Sequence, residues 1–170
     1  MIKLKSAIGL SVTSLMTMQA TAQKAEAFKP ATPNIVLILM DDMGYGDIGR
    51  TGANQYETPN LNRLANQGMQ FTWYYSPQAV SSASRAGLLT GCYPNRIGIS
   101  GALMPWARNG INSEEITIAE ILKTKGYHTS IIGKWHLGHH KQFLPLQHGF
   151  DEYYGIPYSN DMWPVDFDGV

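Results

Sequence analysis

The sequence carries a single cysteine, Cys92, in 170 residues. One thiol builds neither a disulfide framework nor a cysteine-based zinc site. Charge of one sign is also missing, because 13 Lys and Arg balance 13 Asp and Glu. Without a positive field, nothing points to nucleic acid as a partner. No apolar run reaches the roughly 18 residues that a membrane span requires. Internal repeats and low-complexity tracts are absent too. Charged residues make up 15% of the chain against 44% hydrophobic, which excludes a disordered or acidic-tail protein. What remains is a neutral chain long enough for one domain with a real core.

Its first residues read as an address. Lys3 and Lys5 give a cationic start, Ser6 to Met18 is mildly apolar and uncharged, and Ala20-Thr21-Ala22 supplies small residues for cleavage. This pattern over residues 1–22 predicts a secretory signal peptide and a periplasmic or secreted protein. Removing Lys3 and Lys5 from the 13 basic residues leaves 11 against 13 acidic ones, a net charge of −2. Residues 23–32 are a polar, proline-bearing leader, so 33–170 is the part expected to fold.

Asn34 to Met40 (NIVLILM) is a continuous apolar run between Pro33 and Asp41-Asp42. Lacking alternation, it predicts a strand buried on both faces, as in a parallel sheet. Thr58-Pro59 opens a helix to about Gln67, closed by Gly68. Met69 to Tyr75 has strand composition. Ser82 to Thr90 reads as a helix capped in the Ser82 region and ended by Gly91. Thr117 to Glu120 is a capping box for a helix stopping at Gly126, and Tyr127 to Lys134 is a second buried strand. Strand and helix in alternation predict an α/β fold with a largely parallel sheet. Ligands of such sheets bind beyond the carboxyl ends of the strands. Asp41-Asp42 and Lys134-Trp135-His136 both fall at such ends.

Three clusters can carry chemistry, and each has a plainer reading. Asp41-Asp42 is either a solvated turn or a pair of oxygen ligands for Ca²⁺ or Mg²⁺, with Gly44 and Gly46 letting the backbone turn closely. Ser81-Ser82-Ala83-Ser84-Arg85 is either a serine-rich helix start or an anion site. In the second case free N–H groups and the helix dipole are joined by the Arg85 guanidinium, which suits sulfate or phosphate. His136 is either an ordinary packed or surface histidine or, with Lys134 two residues before it on an extended backbone and pointing to the same side, placed to hold an oxyanion and move protons. His139-His140 reads as a solvated loop, and His128 and His148 read as structural.

Taken together, these segments resemble the N-terminal part of a type I sulfatase, within the alkaline phosphatase superfamily. Pro33 to Asp47 (PNIVLILMDDMGYGD) looks like the family's opening strand and metal dyad. Thr58 to Gly68 is similar to its first helix, and Ser81 to Gly91 (SSASRAGLLTG) fits the signature C/S-x-P/A-S-R with its helix. Gly133 to Gly138 (GKWHLG) resembles the second signature, and Gly155 to Ser159 (GIPYS) a third segment. The likeness runs in order over nearly all of 33–163.

The resemblance implies a partial alkaline-phosphatase-like sandwich, with a mostly parallel sheet flanked by helices, and hydrolysis of sulfate esters. It implies that Ser81 becomes Cα-formylglycine, whose hydrate supplies one hydroxyl to attack sulfur and a second whose deprotonation expels sulfate; plain serine has no such exit. Asp41, Asp42 and the modified Ser81 would ligate Ca²⁺, in preference to Mg²⁺. Arg85 would orient the hydrate, Lys134 and His136 would contact hydrate and sulfate, Ser159 would bind sulfate, and Ser84 would support the turn. The implied partners are a sulfated small molecule or glycan and a serine-type formylglycine maturase. Ser81 in place of Cys and Ala83 in place of Pro are both forms that the family accepts. Family members run to several hundred residues and carry their remaining metal ligands and leaving-group acid downstream, so the chain is expected to be a fragment, inactive alone. The alternatives are a phosphate or phosphonate monoester hydrolase of the same superfamily and a non-catalytic half-domain. The aromatics Trp106, Tyr154 and Trp163 suit aryl or carbohydrate groups, or the core.

Overall fold

The structure, a computed structural model, describes residues 32–159. The signal peptide expected over 1–22, nearly all of the 23–32 leader, and Trp163 lie outside the described residues. The chain divides into two units, Met1–Leu39 and Met40–Val170. In the first, residues 32–39 have no regular secondary structure, and Ile35 to Leu39 are all exposed. The strand expected over Asn34 to Met40 is therefore not formed. A strand exists only where a neighbour takes its N–H and C=O groups, and among the described residues the one sheet consists of two other strands.

The second unit holds three α-helices among its described residues: α1 (Pro59–Gln67), α2 (Ser81–Thr90) and α3 (Ile118–Lys123). Helix α1 has its expected bounds, with Pro59 at the first position and Gly68 at the C-cap. Helix α2 ends as expected on Gly91, whose φ of 69° is the left-handed turn that a side chain would resist. Its start differs from expectation. The N-cap is Val80, which makes no side-chain cap, and the Ser82 hydroxyl instead accepts the Leu103 N–H at 3.0 Å. Helix α3 opens on the predicted capping box: Thr117 Oγ1 accepts from Glu120 N and Glu120 Oε2 accepts from Thr117 N.

Strand β1 (Ser130–Lys134) pairs in parallel with β2 (Glu152–Ile156), in a register that sets Gly133 opposite Gly155. A methyl on Gly155 would overlap the Gly133 carbonyl, and Gly133 itself has φ 112°. Two glycines thus let the strands close. The parallel α/β arrangement is as expected, with β1 shorter than its predicted span and β2 an addition to it. Met69 to Tyr75 is not a strand; Phe71, Trp73, Tyr74 and Tyr75 are exposed, without the pairing that β-prone composition needs.

The core gathers Ala86 and Leu89 of α2 with Ile99, Ile111, Trp135 and Leu137. Trp135 and Leu137 belong to the GKWHLG segment that leaves β1. Their burial, at 1% and 0% exposure, fixes the backbone on which Lys134 and His136 ride.

Candidate active site

Beyond the carboxyl end of β1, four of the expected residues meet. Arg85 lies one turn inside α2, so its guanidinium reaches back to the helix start, and Nε donates to Ser81 Oγ at 2.9 Å. Its Nη1 donates to the Lys134 carbonyl at 2.6 Å, which ties α2 to the end of β1. Its Nη2 lies 3.4 Å from Asp41 Oδ2, and Lys134 Nζ donates to the same oxygen at 2.9 Å. Ser81, Arg85, Lys134 and Asp41 thus form one continuous network.

The electrostatics follow from burial. The Arg85 and Lys134 side chains are 13% and 16% exposed, and Asp41 is 39% exposed. Partial burial pushes the Asp41 carboxyl up, but Lys134 and then Arg85 outweigh it and hold the group below the ordinary carboxylate value. Two cations around one hydroxyl-bearing helix start favour an anion there, and the first N–H groups of α2 add to that field.

His136 sits differently from expectation. Its φ is +55°, so the backbone is not extended there and Lys134 and His136 do not share a face in the predicted way. The ring is buried, its Nε2–H donates to the Leu103 carbonyl at 2.8 Å, and Tyr158 meets it edge-on at 4.8 Å. Leu103 therefore joins two parts of the site, because its N–H goes to Ser82 and its carbonyl takes His136. The His136 N–H donates to the Pro157 carbonyl at 3.2 Å, so the segment reaching half-buried Ser159 runs beside it. Ser84 supports the approach to the helix as expected, donating to the Gln78 carbonyl at 2.7 Å and lying 2.5 Å from Ser76 Oγ. Leu103 and Tyr158 were not legible as site residues, because an apolar residue and a tyrosine in loops carry no chemical signal of their own.

Asp42 is exposed at φ +55° and takes no part in the network. The pair Asp41-Asp42 does lie in a turn, so the plain reading of its backbone holds while Asp41 also serves the cluster. As cation ligands, Asp41, Asp42 and the Ser81 oxygen fit a hard ion by donor type. Both basic side chains meet Asp41 through Oδ2. Ca²⁺ takes six to eight oxygens, and among the described residues no group of three or more His, Cys, Asp and Glu converges. At most, these residues would supply part of a coordination shell. Among the described residues, no helix is long and apolar enough to cross a membrane.

Residues 33–169 match the Sulfatase family model. Bovine Arylsulfatase A is 50% identical over 135 residues, an alignment that covers 78% of this chain and 27% of that protein. Mouse N-acetylgalactosamine-6-sulfatase is 50% identical over 137 residues, covering 75% of this chain and 26% of its own length. The crystal structure of Ps i-CgsB superposes with a TM-score of 0.69 at 40% identity, over 72% of this chain and 28% of that one. The chain thus spans about a quarter of the length of the curated relatives it matches.

Proposed function

The chain belongs to the sulfatase family, and from that premise we propose that it supplies the sulfate-binding and nucleophile-bearing portion of a sulfuric ester hydrolase. The observation that carries the proposal is the Ser81–Arg85–Lys134–Asp41 network at the N-terminus of α2. Ser81 sits where free helix N–H groups and two basic side chains converge. That environment stabilises charge developing on sulfuryl oxygens more than charge already spread in the ground state. Arg85 positions the Ser81 side chain through Nε, Lys134 offers Nζ to a sulfate oxygen, and Asp41 keeps both cations in place. His136 lies at the same strand end, where it would contact sulfate, as would Ser159.

When bound, Ca²⁺ and a formylglycine made from Ser81 would supply Lewis acidity and a nucleophile that plain serine lacks. Asp41, Asp42 and residue 81 would hold the ion, with further oxygens from elsewhere. The similarity to a protein named for a sulfated amino sugar favours a sulfated glycan or small aryl sulfate as substrate. We further assign 1–22 as a signal peptide, placing the protein in the periplasm or outside the cell, with a serine-type maturase as partner.

The experiment is peptide mass spectrometry across Ser81 after co-expression with such a maturase. It is combined with turnover of an aryl sulfate and an aryl phosphate by the whole protein, with and without a Ca²⁺ chelator. A loss of about 2 Da at Ser81, the two hydrogens of alcohol-to-aldehyde oxidation, should accompany sulfate-ester turnover that the chelator abolishes. Full activity with unmodified Ser81 would refute the mechanism, and preference for the phosphate would support the phosphoesterase alternative.

A further inference from the structure

His148 is fully buried, yet neither nitrogen of its ring meets a hydrogen-bond partner among the described residues. A buried polar side chain left unpaired calls for an account. The ring stacks on the Trp135 indole, with centroids 6.2 Å apart and planes 28° from parallel. Phe150 meets the same indole edge-on at 6.1 Å, and the indole N–H donates to the Phe143 carbonyl at 2.7 Å. The backbone of His148 is also pinned, because its carbonyl accepts from Thr117 Oγ1 at 2.8 Å. Trp135 is the residue between Lys134 and His136, so the imidazole is a wedge against the side chain that separates those two site residues in the chain.

The wedge is held neutral by burial. From α3, Glu120 is the charged group acting on the ring, and it favours a proton there. The Gln142 backbone favours one as well, though outside hydrogen-bond geometry. Trp135 and Phe150 offer only ring faces and edges. Desolvation outweighs Glu120 and Gln142 and keeps the imidazole below its ordinary value.

We infer that His148 is a positioning residue: as a neutral ring it seats Trp135, and so aligns Lys134 and His136, while its protonation unseats all three in acid. The consequence for turnover rests on the sulfatase reading; the seating of Trp135 does not. Because the buried ring takes a proton less readily than an open one, acid favours the open form. The ratio of seated to open forms should fall by up to tenfold for each pH unit below about 6.5, the ordinary histidine value, until the buried ring itself titrates.

The test follows the Trp135 indole N–H by ¹⁵N NMR in the full chain, assigned with Trp135→Phe, between pH 8 and 5. The seated signal should be constant above about pH 7 and give way to a second signal in acid. In His148→Gln that acid transition should disappear. Should His148→Gln fail to fold, the ¹³C-labelled ring of His148 in the parent protein provides the second measurement. It should stay neutral while Trp135 is seated and gain its proton together with the loss of the indole signal. An identical indole transition in His148→Gln, or a His148 ring titrating near 6.5 with the indole unmoved, would overturn the inference. In the whole protein, aryl sulfate turnover by His148→Gln should keep its own plateau rate to lower pH than the parent. Loss of the indole transition in the variant supports the inference even if no sulfate ester is cleaved, an outcome that would count against the sulfatase reading alone.

Discussion

Replacing Asp41 by Asn removes one charge from between two cations while keeping the side chain's shape. The contacts at stake are 2.9 Å to Lys134 and 3.4 Å to Arg85, both through Oδ2. At an effective dielectric near 20, each would be worth about 5–6 kcal/mol of gross attraction. Asp41 is 39% exposed, however, so water screens the pair and desolvation takes back much of the gain. Exposed pairs yield roughly 0.2–1 kcal/mol net, and the low exposure of the two cations places this cluster at or just above that range. Arg85 and Lys134 would also face each other unneutralised in the variant. The expected loss is about 1–2 kcal/mol, a fall in melting temperature of about 2–8 °C for a chain of this size. Thermal unfolding followed by circular dichroism at pH 7 measures it, and a cycle with Lys134→Met should return a coupling near 1 kcal/mol. The sign with pH is also set. The folded carboxyl is held below its ordinary value, so its contribution is present above about pH 4 and is lost as pH falls through the folded value. Asp41→Asn should lack that part of the acid limb. A loss and a coupling both within about 0.3 kcal/mol, the scatter expected of independent sites, would show that the cations do not depend on Asp41.

At the other end of the sheet, Asp151 accepts from Lys123 Nζ at 2.7 Å, from Thr129 N at 2.9 Å and from Thr129 Oγ1 at 3.0 Å. The Lys123 hydrogen bond and then the Thr129 backbone hold its carboxyl far below the usual carboxylate range, so its contribution is complete above about pH 4 and lost only in strong acid. Asp151→Asn should therefore flatten the dependence of stability on pH below 4, read from urea midpoints at pH 2 to 5; an unchanged slope would refute the assignment. Gly155→Ala should cost at least about 2 kcal/mol, as overpacking does where only backbone could give way, because the new methyl meets the Gly133 carbonyl. Unaltered urea stability of that variant would show that β1 and β2 do not pair as described.

What the amino-acid sequence determined by itself is whatever depends on neighbours a few residues apart. Thr58-Pro59 and Gly68 bound α1, Thr117 and Glu120 satisfy each other's backbone N–H groups, and Gly91 alone suits a left-handed turn. The residues that meet in the candidate site could be picked out for a related reason: each stands in a short motif whose residue types suit an anion or a hard cation, and Arg85 reaches Ser81 simply because both lie on one helical turn.

Tertiary structure decided everything that requires a distant partner. Asn34 to Met40 and Met69 to Tyr75 have the side chains of strands and are not strands, whereas Glu152–Ile156 is one, because Gly133 and Gly155 allow it to reach β1. The Ser82 hydroxyl went to Leu103 rather than to its own helix start, and the Leu103 carbonyl took His136, whose left-handed backbone no periodicity foretells. Asp41 and Lys134, 93 residues apart, meet through folding alone. Local motifs place donors and charges along the chain, but the free energy that joins them comes from burying Trp135 and Leu137, and that burial exists only once the chain has closed on itself.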